Sequence, residues 1–149
     1  MTQEKKIAVG SDHAGFELKE NLKPFLKELG YEIVDFGTNT SDSVDYPLIA
    51  KSLATSVASK NQDKGILICG TGIGMSIAAN KIKGIIAAHC YDPEIAKLSR
   101  QHNNSNILTL GGRITNLDLS KEIIKTWLET KFEGGRHLRR VQEIRDLER

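Results

Sequence analysis

Gly65-Ile66-Leu67-Ile68-Cys69-Gly70-Thr71-Gly72-Ile73-Gly74-Met75-Ser76 decides the reading of this chain. An apolar run of strand length leads straight into glycines at alternate positions, and a helical pattern follows over Met75 to Lys81. Glycines there let the backbone approach a ligand closely. The following helix aims free N–H groups and its positive end at the loop. An anion belongs there: a phosphate, a carboxylate, or an oxyanion formed during a reaction.

The same alternation extends both ways. Ile7-Ala8-Val9 reads as a short buried strand ending in the turn-rich loop Gly10-Ser11-Asp12-His13-Ala14-Gly15. Leu18, Leu22, Phe25, Leu26 and Leu29 then recur at helical spacing, with Pro24 predicting a kink or break and Gly30 a stop. Glu32 to Phe36 reads as a second strand. Asp45-Tyr46-Pro47 opens a helix carrying Leu48, Ile49, Leu53 and Val57. Beyond the glycine loop come a strand at Ile85 to Cys90, a helix at Pro93 to Arg100 and a strand at Ile107 to Leu110. Two helices follow, at Leu117 to Leu128 and Arg136 to Leu147. Strand–helix alternation predicts a parallel sheet with helices on both faces. Ligands of such sheets sit outside the carboxyl ends of the strands. That rim would hold Asp12, His13, Cys69, Thr71, Tyr91 and Gly111 to Arg113.

At 149 residues the chain reads as one domain, 1–149, with residues 131–149 a helical tail. It is 39% hydrophobic and 27% charged, an ordinary globular balance. A net charge of +2 gives no electrostatic case for nucleic acid as the main partner. No apolar run approaches the roughly 20 residues of a membrane helix. The polar start, Met1 to Lys6, lacks the apolar core of a signal peptide, so the expected location is the cytoplasm. Cys69 and Cys90 are too few for a disulfide framework and match no zinc spacing.

The glycine loop lacks the lysine of a phosphate-binding P-loop, because Met75 stands before Ser76. Asp92 suits a dinucleotide fingerprint, but the third glycine falls one position early and the loop follows the third strand. Nicotinamide binding is thus a distant alternative. Cys69 faces the start of a helix, which favours a thiolate and makes it a nucleophile or a base. A buried strand-end cysteine packing as a small hydrophobe is an equal reading. For Cys90 the packing reading is better. His13 and His102 each suit a cap or surface position, and His89 a structural one. Arg136 and Arg140 are four apart and share a helix face, which suits a phosphate. A solvated charged helix end is the ordinary meaning of such a run. Leu138, Val141, Ile144 and Leu147 form one narrow apolar stripe on that helix. Packing the stripe on a second subunit would carry the arginines to a neighbour's site.

The motifs Gly10–Gly15, Asp45-Tyr46-Pro47, Cys69–Ser76, Ala79-Asn80-Lys81, His102-Asn103, Leu110-Gly111-Gly112-Arg113 and Gly134-Gly135-Arg136-His137 occur in this order along nearly the whole chain. Together they resemble ribose-5-phosphate isomerases of the B type, in the sugar-phosphate isomerase family that includes galactose-6-phosphate isomerase subunits. The resemblance implies a Rossmann-like α/β three-layer sandwich around a five-stranded parallel sheet. It implies a homodimer that can pair into a tetramer, and neither metal nor cofactor. It also implies shared sites, with strand-end loops from one subunit and His102, Asn103, Arg113, Arg136 and Arg140 from the other. Tyr91 stands where relatives often have histidine, and Leu48 where many have an acid.

The expected reaction interconverts an aldose and a ketose phosphate, best ribose 5-phosphate and ribulose 5-phosphate, through an enediolate. Cys69 is the candidate base. The resemblance assigns sugar-ring opening to His102. The N–H groups of Gly70, Gly72 and Gly74, with Asn103, would hold the oxyanion. Thr71 would relay a hydroxyl proton. Arg113, Arg136, Arg140 and His13 would grip the phosphate. Asp12 and Tyr46 would contact sugar hydroxyls or orient His102. A hexose 6-phosphate of allose or galactose is an alternative substrate, and a non-catalytic sugar-phosphate or nucleotide-binding module an alternative function.

Overall fold

A computed structural model describes residues 5–148. Residues 1–4, which carry most of the polar start read above, lie outside the described residues. The elements follow in chain order: β1 (Lys5–Ser11), α1 (Phe16–Glu28), β2 (Tyr31–Asp35), α2 (Tyr46–Ala58), β3 (Lys64–Cys69), α3 (Ile73–Ala79), β4 (Ala87–His89), α4 (Pro93–Asn103), β5 (Ile107–Gly111), α5 (Leu117–Glu129) and α6 (Arg136–Asp146).

The strands form one parallel sheet in the order β2-β1-β3-β5-β4. Successive side chains point to opposite faces, so each strand feeds two cores. Ile7, Val9, Ile66, Ile68, Leu108 and Leu110 pack beneath Leu18, Leu22 and Leu26 of α1 and Ile123, Ile124 and Trp127 of α5. Ala8, Leu67, Cys69 and Ile107 face Leu53, Ala54 and Val57 of α2 and Met75 and Ala79 of α3. Burying one such aliphatic side chain stabilises by roughly 1.5–3 kcal/mol. The expected five-stranded, doubly covered sandwich is therefore what the chain forms. Its strand order changes direction at β1 and β3, and the loops after those strands open the crevice used by ligands of such sheets.

Two details depart from the sequence reading, and a third adds to it. First, α1 runs unbroken through Pro24. Pro24 is on the exposed side, so the helix bond it cannot make is lost where water can replace it. Leu22 and Leu26 meanwhile hold both halves to the sheet. Second, β4 is limited to Ala87–His89 because asparagine side chains take over the flanking pairing. Asn80 Oδ1 accepts from the Ala87 N–H at 2.8 Å and its Nδ2 donates to the Ala87 carbonyl at 3.0 Å. Asn106 Oδ1 accepts from the Ile86 N–H at 2.9 Å. The Asn80 amide caps an edge that would otherwise be open to another strand, while Asn106 extends the β5 side. Third, α6 folds back against α4 of its own chain through buried Val141 and His137. Glu148 Oε1 ties its end to the Gly84 N–H at 2.9 Å. Leu138 and Leu147 of the predicted stripe stay 58% and 78% exposed.

The chain reverses from β1 into α1 through Gly15, and there is no room for a side chain. A Cβ at that position would lie 2.5 Å from the Ile68 carbonyl oxygen, which is backbone of the central strand. Gly15→Ala is expected to destabilise the fold by about 1–3 kcal/mol, the usual range for overpacking. Urea unfolding of the two proteins measures it, and an unchanged midpoint would contradict the contact.

Candidate active site

Cys69 ends β3 with its side chain on the α2/α3 face, 5% exposed. The chain then turns sharply, and the Gly72 N–H comes back to donate to Cys69 Sγ at 3.1 Å. That turn needs glycine twice over. Gly72 has φ 85°, and a Cβ there would lie 2.6 Å from the His89 ring. The turn therefore gives the sulfur a backbone donor of its own.

The loop after β5 is zipped onto the loop after β3. Gly112 N–H donates to the Cys69 carbonyl at 2.7 Å, and Arg113 N–H to the Gly70 carbonyl at 3.0 Å. Arg113 is thereby laid over its own chain's loop, with Nη1 3.4 Å from where a Gly70 Cβ would be. Tyr46, at the start of α2, closes the other side. Its ring packs so tightly on Gly74 that a Cβ there would lie 2.6 Å from the ring and 2.8 Å from the hydroxyl oxygen. Thr71 is exposed, and its Oγ1 accepts from the Ile73 N–H at 3.2 Å, leaving its hydroxyl proton free to point outward.

The loop after β1 supplies two more groups. Buried Asp12 accepts from the Gly15 N–H through Oδ1 at 3.0 Å, which fixes the carboxylate at the rim. His13 Nδ1 accepts from the Val44 N–H at 3.2 Å. With Nδ1 acting as an acceptor, the neutral ring must carry its proton on Nε2. Asp12, His13, Tyr46, Cys69, Gly70, Thr71, Gly72, Gly74 and Arg113 thus gather in one chain at the carboxyl ends of the strands. Arg113 lies against this cluster within its own chain.

The remaining site residues form a second cluster. His102 and Asn103 end α4, and the Glu133 N–H donates to the Gln101 carbonyl at 3.1 Å, bringing the tail alongside. His102 stacks on His137 with ring centroids 4.3 Å apart and 14° between planes. Arg136 and Arg140 are exposed at the start of α6. Burial, then His102 and the two arginines, lowers the His137 pKa, while Glu133 works against them. The sequence reading assigned His137 no role, since its neighbour His102 lies on another helix.

His102, Glu133 and His137 are the group of described residues whose donor atoms lie close enough to hold a metal, within 4.8 Å of one another. The stacking argues against it. A histidine binds metal through a lone pair in the ring plane, and two near-parallel planes do not converge on one ion. His89 is half-buried, with Nδ1 3.4 Å from Thr109 Oγ1 and a pKa lowered by burial. It supports the Gly72 turn from behind, the structural role expected of it. Cys90 is fully buried and burial pushes its thiol up to about 11, so it is not a nucleophile. Tyr91 and Leu48 are exposed. Clefts of about 630 and 500 Å³ lie at the amino-terminal ends of the strands and along β2, away from Cys69. Neither contains a nucleophile beside an anion-binding loop.

The hydrogen bond at His13 has a direct readout. Ring nitrogen shifts of ¹⁵N-labelled protein should show the neutral His13 as the Nε2–H tautomer. An Nδ1–H tautomer would mean that the Val44 contact is absent.

Comparison with known proteins gives a consistent result. A family model described as ribose/galactose isomerase matches residues 7–144. Ribose-5-phosphate isomerase B of Escherichia coli is 51% identical over 97% of this chain and 97% of its own length. A D-erythrulose-4-phosphate isomerase of Pectobacterium atrosepticum is 40% identical over 93% of this chain and 91% of its own. The solved structure of Clostridium thermocellum ribose-5-phosphate isomerase B superposes with a TM-score of 0.94 at 51% identity, covering 95% of this chain and 96% of that one. Taken with the rim geometry, these matches show that the chain belongs to the ribose/galactose isomerase family.

Proposed function

We propose that this chain is an aldose–ketose isomerase that interconverts ribose 5-phosphate and ribulose 5-phosphate, with Cys69 as the base. The observation that carries the reading is the Gly72 N–H aimed at Cys69 Sγ, beside a rim that also presents Arg113, His13 and Asp12. Ring opening comes first. His102 gives a proton to the ring oxygen and takes one from the anomeric hydroxyl. The Cys69 thiolate then removes the proton from C2, and the electron pair moves through C1 onto the carbonyl oxygen. The N–H groups of Gly70, Gly72 and Gly74, with Asn103, hold the enediolate charge. Thr71 relays the O2 proton to O1, and the thiol returns its proton to C1. Only a proton moves between carbons, so the chemistry requires neither a metal nor a cofactor.

Phosphate binding far from C1 and C2 orients the reacting end. Arg113 and the His13 Nε2–H supply it from one side, and Arg136 and Arg140 from the other. Asp12 and Tyr46 contact sugar hydroxyls. The arginines of α6 serve the pocket of a second subunit in a homodimer. Ile73, Ile77, Ile114, Leu138 and Leu147, all largely uncovered, support such an interface. Arg113 acts in its own chain's pocket in this scheme. No helix among the described residues is long and apolar enough to cross a membrane, and a cytoplasmic enzyme of carbohydrate metabolism fits that.

The family description covers galactose as well as ribose, and a relative acts on a tetrulose phosphate. A hexose 6-phosphate of allose or galactose is therefore the second reading. A kinetic screen of four-, five- and six-carbon aldose phosphates without added metal separates these substrates. Turnover of none of them would leave a non-catalytic sugar-phosphate-binding module.

Cys69→Ala should lower kcat by about 100- to 10,000-fold, the usual effect of a general base. Sugar-phosphate binding, measured by calorimetry, should remain. Near-normal turnover would make Cys69 structural. The shared site has its own test. Mixing Cys69→Ala subunits with Arg136→Ala, Arg140→Ala subunits should restore part of the activity, because one pocket of a mixed dimer then carries no lesion. Pockets that use their own arginines would regain nothing.

A further inference from the structure

His102 and His137 lie on different helices, yet their rings are stacked at 4.3 Å and 14°. Such a contact must be built. His137 occupies the first turn of α6, where its N–H donates to the Gly134 carbonyl at 3.0 Å. The residue is only 6% exposed although the turn is flanked by exposed Arg136 and Arg139. Glu133 is pinned by its own N–H to Gln101, the residue before His102, and its Oε2 lies 3.6 Å from His137 Nε2. Glycines at 134 and 135, both with positive φ, let the chain turn from Glu133 into α6 within two residues. A helix this polar gains little from burying one histidine for stability alone. The face of that histidine is spent on His102.

We propose that His137 and Glu133 are positioning residues for ring opening: His137 supplies the flat face that sets the plane of the His102 imidazole, and Glu133 holds His137 in place. The proposal rests on the reading of His102 as the ring-opening group. Opening a furanose needs one nitrogen to reach the ring oxygen and proton transfer to the anomeric hydroxyl, so the orientation of the ring matters more than its position. Four charged or titratable groups surround His137: Glu133 from the tail segment, Arg136 and Arg140 from α6, and His102 from α4. Burial, together with His102 and the arginines and against Glu133, holds the His137 pKa below its ordinary value. Two stacked imidazolium rings would repel, so charging both rings at once is disfavoured. All these groups belong to one chain, so the unit stays intact whichever subunit's pocket it serves.

The test compares the two directions of the reaction. Ribose 5-phosphate enters as a furanose. Ribulose 5-phosphate cannot close one, because the hydroxyl it would use carries the phosphate. Rates at saturating substrate (kcat) from each side therefore separate ring opening from proton transfer, the ratio of the two kcat/KM values being fixed by the equilibrium constant. His102→Asn comes first and should lose far more rate from ribose 5-phosphate than from ribulose 5-phosphate. Equal losses there would remove His102 from ring opening and overturn the premise. With that premise standing, His137→Ala should show the same one-sided loss, about 10- to 100-fold, the size of a misplaced catalytic group. His137→Phe keeps a flat face and should recover most of it. Glu133→Ala, at an exposed position, should show a smaller one-sided loss. Equal loss in both directions, no loss, or failure of phenylalanine to restore the rate would overturn the positioning role. Should His137→Ala not fold, the phenylalanine and Glu133 variants still decide it.

Discussion

Everything at the rim depends on one tight turn after the central strand. Gly72 must adopt a left-handed φ, and it must do so against the His89 ring and the Leu110 backbone. Only a residue without a Cβ meets both conditions. The turn brings an N–H back onto Cys69 Sγ and leaves the Cys69 and Gly70 carbonyls free to accept from Gly112 and Arg113. A side chain at Gly72 would therefore disturb the sulfur, the glycine loop and the placement of Arg113 together. The edge strand is recruited into the same constraint. His89 backs the turn while Asn80 closes the open side of β4.

The sheet beneath makes this turn affordable in physical terms. Both faces are sealed by aliphatic side chains, so the sheet is a rigid platform and the strand ends have little freedom. Rigid donors placed before reaction are what stabilise charge that develops during it. Two clusters of polar side chains are kept apart on the molecule. The thiol and its N–H donors sit on the strand-end loops, whereas the histidine stack and the paired arginines sit where α4 meets the tail. That separation suits a reaction whose ring-opening and carbon-to-carbon proton transfer are distinct steps.

The sequence by itself determined the elements, their parallel arrangement and most of the rim, because these follow from local pattern. Apolar runs of strand length alternate with helical spacing, and the rule that ligands lie beyond strand ends then places Asp12, His13, Cys69 and Arg113 together. Where local pattern met a competing long-range term, it misled. Pro24 does not break α1, because Leu22 and Leu26 are held to the sheet and the lost bond faces water. Only the tertiary structure decided that His102 meets His137, that Tyr46 covers Gly74, and that Arg113 lies over its own Gly70. The physical reason is the same in each case. These contacts join residues on separate elements, so their geometry is set by how the helices and loops pack on the sheet, which no spacing along the chain encodes.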